Sequence, residues 1–153
     1  MRKLLFVCIL LLLSGVSCKR ICACSPSQAY LFLAIRNASN QDVFNPSTNG
    51  HYTKDDILLY TEGLNGQINP VRFYLNPPMA ERLSDYQIRV ETIAAVVNSS
   101  PVVYLKLKNQ NLYTLNITIS KDGRKIERFL IDGKAIPAHR KPDLSSLFYF
   151  SIK

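Results

Sequence analysis

The chain has no tryptophan, only two histidines and, after Cys24, no cysteine. The missing Trp and core cysteines exclude the Cys and Trp signature of a true immunoglobulin domain. Histidine is confined to His51 and His139, both in loop-like surroundings, so no nucleophile, base and orienting group stand out as a catalytic constellation. The expectation is a protein that is not an enzyme. No glycine-rich phosphate loop occurs. No basic run exceeds two adjacent residues, which argues against a nucleic-acid partner. The longest apolar run, Leu4 to Leu13, is too short to span a bilayer.

That short run has a different use. Arg2 and Lys3 precede it, and Ser14 and Gly15 break it before Cys18, giving the charged, apolar and small-residue regions of a secretory signal. Residues 1–17 are therefore read as a signal peptide, outside the fold. Gly15 and Ser17 place small side chains three and one residues before the cut, as ordinary signal peptidase requires. A small residue directly before a cysteine, right after the apolar region, also resembles a bacterial lipobox, although Gly15 stands where Leu, Val or Ile is usual. The resemblance implies diacylglycerol on the Cys18 thiol, and hence a membrane partner.

Once Cys8 leaves with the signal, Cys18, Cys22 and Cys24 remain, an odd number of exported thiols. A thioether at Cys18 leaves an even pair, although Cys22 and Cys24 are too close for an ordinary bridge. Cys24 is the rival lipidation site, but Lys19 and Arg20 would then lie inside the uncharged part of the signal. A redox site at Cys22-Ala23-Cys24 is disfavoured, because thiol-exchange pairs lie on folded scaffolds. Each buried methylene adds about 0.8 kcal/mol, so two or three acyl chains make release negligible. Lys19 is not the aspartate that retains lipoproteins in the inner membrane, and no acidic run follows Cys18. The family pattern thus implies the outer membrane, facing the periplasm. A soluble secreted binding or inhibitory domain is the alternative if Cys18 stays bare.

Removing the first 17 of 153 residues leaves 136, enough for one domain that buries a sizeable core without disulfides. The mature chain keeps 17 basic residues against 11 acidic ones, about +6, and the excess is scattered. Residues 18–28 form a polar tether and 29–153 the domain.

Within the domain, short apolar or alternating segments are separated by turn signals. Strands are expected at Tyr30–Arg36, Ile57–Tyr60, Ile68–Leu75, Tyr86–Val97, Val103–Leu107, Leu112–Ser120, Ile126–Ile131 and Leu147–Ile152. Asn65-Gly66, Asp122-Gly123 and Asp132-Gly133 are hairpin signals, and Asn37 to Asp56 reads as a long polar loop. Asn76-Pro77-Pro78 stops a strand, and Met79 to Leu83 suits a short helical turn. About seven or eight short strands without a sustained helical period make an all-β, antiparallel β-sandwich, immunoglobulin-like or transthyretin-like.

The chain resembles small uncharacterised lipoproteins of Bacteroides-type bacteria. These carry a Cys-led tether, an apolar first strand, and then Asn, a polar turn and an Asp-Val/Leu-Phe/Leu-Asn/Asp-Pro segment, here Asn37 to Pro46. The stretch Asp55-Asp56-Ile57-Leu58-Leu59-Tyr60 is similar to that family's second strand. The resemblance covers about the first third and implies a sandwich with no established activity.

Candidate ligands for a metal are sparse. His51 with Asp55 and Asp56 has no second ligand cluster, and Asp42, Asn45, Asn49, Asp55 and Asp56 do not match a helix-flanked calcium loop. No cofactor or metal is expected. Most of the eight Tyr and seven Phe fall in strand patterns as core. Tyr52, Tyr60, Tyr74 and Tyr86, near the long loop and the proline turn, are the candidates for a binding edge toward an envelope protein or glycan.

Overall fold

The computed structural model describes residues 29–78, 83–91, 93–100, 102–108, 110, 112–139 and 146–152. The expected signal peptide, Cys18, the expected tether with Cys22 and Cys24, and the turn expected at Met79–Leu83, apart from Leu83, lie outside the described residues. Among the described residues ten strands form two sheets, accompanied by one α-helix. The smaller has β10 (Leu147–Ser151), β1 (Leu31–Arg36), β5 (Gln87–Val90) and β4 (Tyr74–Asn76) in that order. The larger has β3 (Ile68–Pro70), β2 (Ile57–Glu62), β6 (Val102–Leu107), β7 (Leu112–Ile119), β8 (Ile126–Ile131) and β9 (Lys134–Ala135).

The inner faces meet in one core, which makes the fold a β-sandwich. Leu31, Leu33, Ile35, Ile88, Val90 and Phe148 come from the smaller sheet; Leu59, Leu105, Leu115, Ile117 and Phe129 are among those facing them. Phe129 packs on Phe148 at 4.7 Å between ring centroids, and Tyr113 meets the edge of Phe150 at 4.9 Å. Each such aliphatic or aromatic burial contributes about 1.5–3 kcal/mol. The alternation along β7 is a strand with one wet face: Tyr113, Leu115 and Ile117 are buried while the residues between them are not. β1 is apolar on both faces for a different reason. Its second face, through Ala34, packs with Leu83 and Leu147, flanked by Phe32 and Tyr149.

Three features depart from the sequence expectations. The segment expected to continue as strand to Val97 is helical, α1 being Ile93–Ser99. Its apolar residues are spaced at a helical repeat: Ile93 is fully buried, and Val96 and Val97 pack against the core while Ala95 is exposed. The alanine pair favours this form. Second, Ile68–Leu75 is not one strand. β3 ends at Pro70, which supplies no ladder donor; the Val71 N–H still donates to the Leu59 carbonyl at 2.8 Å, and the chain then crosses to the other sheet as β4. Third, β10 runs parallel to β1, with Phe32 opposite Leu147 and Arg36 opposite Ser151, whereas every other pairing is antiparallel. No helix among the described residues is long and apolar enough to cross a membrane.

The topology gives the sandwich two distinct ends. At the near end lie Ala29, the β2–β3 hairpin at Gly63–Gln67, α1 and the β7–β8 hairpin. At the far end lie the long loop 37–56, the start of β7, the β8–β9 turn and Ile152.

Candidate functional site

The expected loop at Asn37–Asp56 is a folded lobe. As β1 ends, the Asn37 side chain accepts from the Gln41 N–H at 2.9 Å, and Asn40 turns the chain at φ 60, a conformation asparagine tolerates. Asp42 then comes back beside Arg36 and is buried. One of its carboxylate oxygens accepts from the Phe44 N–H at 2.9 Å, and the other accepts from the Tyr86 N–H at 2.8 Å, across 44 residues. The Thr48 hydroxyl donates to the Asp42 carbonyl at 2.8 Å. Val43 and Phe44 are thereby driven into the core, and the Tyr52 N–H donates to the Val43 carbonyl at 2.8 Å. Burial pushes the Asp42 carboxyl above its usual range, against the pull of the Tyr86 and Phe44 amides and the Arg36 guanidinium, with Asp85 adding to the rise. Arg36 itself is held by Asp85 at 2.6 Å.

Between this lobe and the strand ends lies a cleft of about 290 Å³, lined by Asn37, Ala38, Ser39, Val43, Thr48, Asn49, Gly50, Tyr52, Gln110 and Ile152. The Gln110 amide donates to the Tyr52 hydroxyl at 3.2 Å, which fixes the ring and leaves the phenol proton free to donate. The lining has three side-chain amides, two aliphatic hydroxyls, a tyrosine and no acid or base. A second cavity of about 420 Å³ shares Ile152 as a wall and is bounded by Tyr113, Asp132, Tyr149 and Phe150.

Of the four tyrosines proposed as a binding edge, two belong to this lobe. Tyr52 lines the cleft, and Tyr86 anchors it through its backbone N–H, with its side chain packed on the core. The other two are elsewhere. Tyr60 is buried on the outer face of the larger sheet, stacked on Tyr104 at 5.1 Å; burial raises its phenol pKa. Tyr74 lies on the smaller sheet, with the Arg72 and Arg89 guanidinia over its ring at 5.5 and 6.0 Å. Asn37 and Gln110 escaped sequence reasoning as site residues and Asn49 was weighed only as a calcium ligand, since a polar loop residue carries no mark of what it faces. Cys18 lies outside the described residues.

Two of the acids weighed as metal ligands, Asp42 and Asp56, are engaged otherwise. Asp56 accepts from the Thr53 N–H at 2.9 Å and its hydroxyl at 2.8 Å, and pairs with Lys108 at 3.2 Å, which together hold its carboxyl down at about 2. The Asn45 side chain caps the Ser47 N–H at 2.9 Å. Among the described residues, no three His, Cys, Asp or Glu side chains gather as a metal site. No protein-family model, no curated protein and no solved structure matches the chain.

Proposed function

We propose that this chain is a non-catalytic binding module of the bacterial cell envelope. Residues 1–17 export it, lipid on Cys18 holds it in the outer membrane facing the periplasm, and the far-end cleft takes a neutral, hydroxyl-rich ligand, a sugar unit of an envelope glycan. The observation that carries this reading is the lining of the cleft: amides, hydroxyls and Tyr52, with no charged group. Amides and hydroxyls exchange hydrogen bonds with sugar hydroxyls, and an aromatic ring covers the apolar face of a pyranose. The absence of an acid–base pair from that lining favours retention of a ligand over its conversion. The position supports the reading too, because the cleft lies at the end opposite Ala29, where a tether from Cys18 joins the domain.

Titration with oligomers of N-acetylglucosamine, followed by amide NMR shifts, tests the ligand class. Shifts are expected at Asn49, Gly50 and Gln110 and are lost in Tyr52→Ala. Shifts confined to other surfaces, or none, would overturn the cleft as a glycan site. Anchoring is tested separately: Cys18→Ser is expected to release the protein from membranes, and retention of that variant without use of Cys24 refutes the tether.

A further inference from the structure

The near end has the complementary character. Ala29, the first described residue, is buried there, and its N–H donates to the Gly123 carbonyl at 2.9 Å, so the preceding chain joins the domain at the tip of the β7–β8 hairpin. That tip carries three cations, Lys121, Arg124 and Lys125, against one acid, Asp122. Asp122 is occupied locally, accepting from the Ser120 hydroxyl at 2.5 Å and the Arg124 N–H at 3.1 Å. Its carboxyl is lowered chiefly by the Ser120 bond, so it stays charged and the tip keeps a net positive sign. On the same end, at the tip of the β2–β3 hairpin, Leu64 is fully exposed at 108%. It is the most exposed large apolar side chain described, and Ile68 beside it is 55% exposed. A groove of about 340 Å³ between α1 and β7 opens beside Lys121.

One basic hairpin tip, a bare leucine on the neighbouring hairpin and the point where the tether joins coincide on one end. We infer that this end docks onto the surface of an anionic bilayer, the hairpin cations against lipid phosphates and Leu64 in the interfacial layer. The occupant follows from the position of Ala29 together with charge complementarity. A tether of residues 18–28 spans at most roughly 40 Å, which keeps the domain beside the membrane, and the basic tip lies at the end that carries the attachment. One lipid signal binds reversibly and a second, electrostatic one stabilises it. The proposal rests on the tethered reading above and adds a fixed orientation, with the glycan cleft pointing away from the bilayer.

The test uses the mature chain from position 18 carrying Cys18→Ser, so that no acyl chain contributes, and sedimentation with vesicles of phosphatidylcholine alone or of an equimolar mixture with anionic phosphatidylglycerol. Partitioning onto the anionic vesicles is expected, weakening steeply with salt. Arg124→Glu with Lys125→Glu is expected to lower it about tenfold or more, whereas the matched reversal Lys54→Glu with Lys106→Glu, far from this end, leaves it within about twofold. Leu64→Asp, at an exposed turn where folding is indifferent, lowers it as well. Equal partitioning of the two double reversals, or no preference for anionic vesicles, overturns the docking surface. Intact mass of the native protein reports on Cys18 independently, so a bare thiol there would fail the tether and leave the vesicle result standing.

Discussion

The two ends of the sandwich are built by different physics. The near end is made of short hairpins whose shape is set by their own residues: Gly66 at φ 71 and Gly123 at φ 72 occupy the left-handed region that Asn-Gly and Asp-Gly turns require. The far end is made of contacts between distant parts of the chain. Asp42 holds Tyr86 across 44 residues, Arg36 holds Asp85 across 49, and Gln110 holds Tyr52 across 58. Local turns make an end that tolerates change and can meet a featureless surface. Non-local polar contacts make one that keeps a cleft in a single shape.

The largest break in this contrast is expected from Asp42→Ala. It strands the buried Phe44 N–H and the half-buried Tyr86 N–H, and the loss is about 2–5 kcal/mol, read as a fall in the denaturation midpoint with an unchanged slope. Hydrogen exchange should accelerate through residues 42–52 more than in the β7–β8 hairpin. Equal acceleration at both ends would mean that the lobe is not an independent unit. Gly123→Ala is the matching change at the near end. An added Cβ there meets nothing within 4 Å, so only the left-handed backbone resists it, at about 1 kcal/mol. That variant should leave the cleft amides unshifted in NMR spectra.

The smallest effect sharpens the far end by pH. The Asp56 carboxyl is held at about 2, below its ordinary 3.8, so its contribution is complete above 3.8 and is lost as pH falls through about 2. Asp42 has the opposite sign. Its raised pKa favours the protonated form in the folded chain, so its ionisation weakens the fold as pH rises through the folded value. Thermal melts between pH 2 and 6 should therefore show Asp56→Asn flattening the acid limb and Asp42→Asn leaving that limb in place. An unaltered acid limb in Asp56→Asn would assign the effect to other carboxylates.

The same contrast explains what could be read from residues alone. β7, β8 and the glycine turns were legible because alternation and turn chemistry are local. The two-sheet architecture followed from the number and shortness of the strands. The lobe was legible only as polar sequence: Asp42 looks like any loop acid until Tyr86 is brought beside it. Val43 and Phe44 were an apolar pair inside a loop, and their burial is the trace the lobe left in the sequence. Tyr60 and Tyr74 sit only 14 positions apart, yet the crossing after Pro70 sends them to different sheets. Helix α1 was missed because a run apolar on every side satisfies either period, and only Ile93 against exposed Ala95 distinguishes them.

The parallel pairing of β1 with β10 also bears on the order in which the molecule is made. Leu33 and Phe148 are register partners separated by 115 positions, so one edge of β1 stays uncovered until residues 147–151 have been made. At elongation rates of about 20 residues per second, β1 waits roughly six seconds with that edge open. Sequence separations of this size slow folding in general. Removing residues 147–152 would take away the partner on that edge of β1 together with the buried Leu147, Phe148 and Ile152.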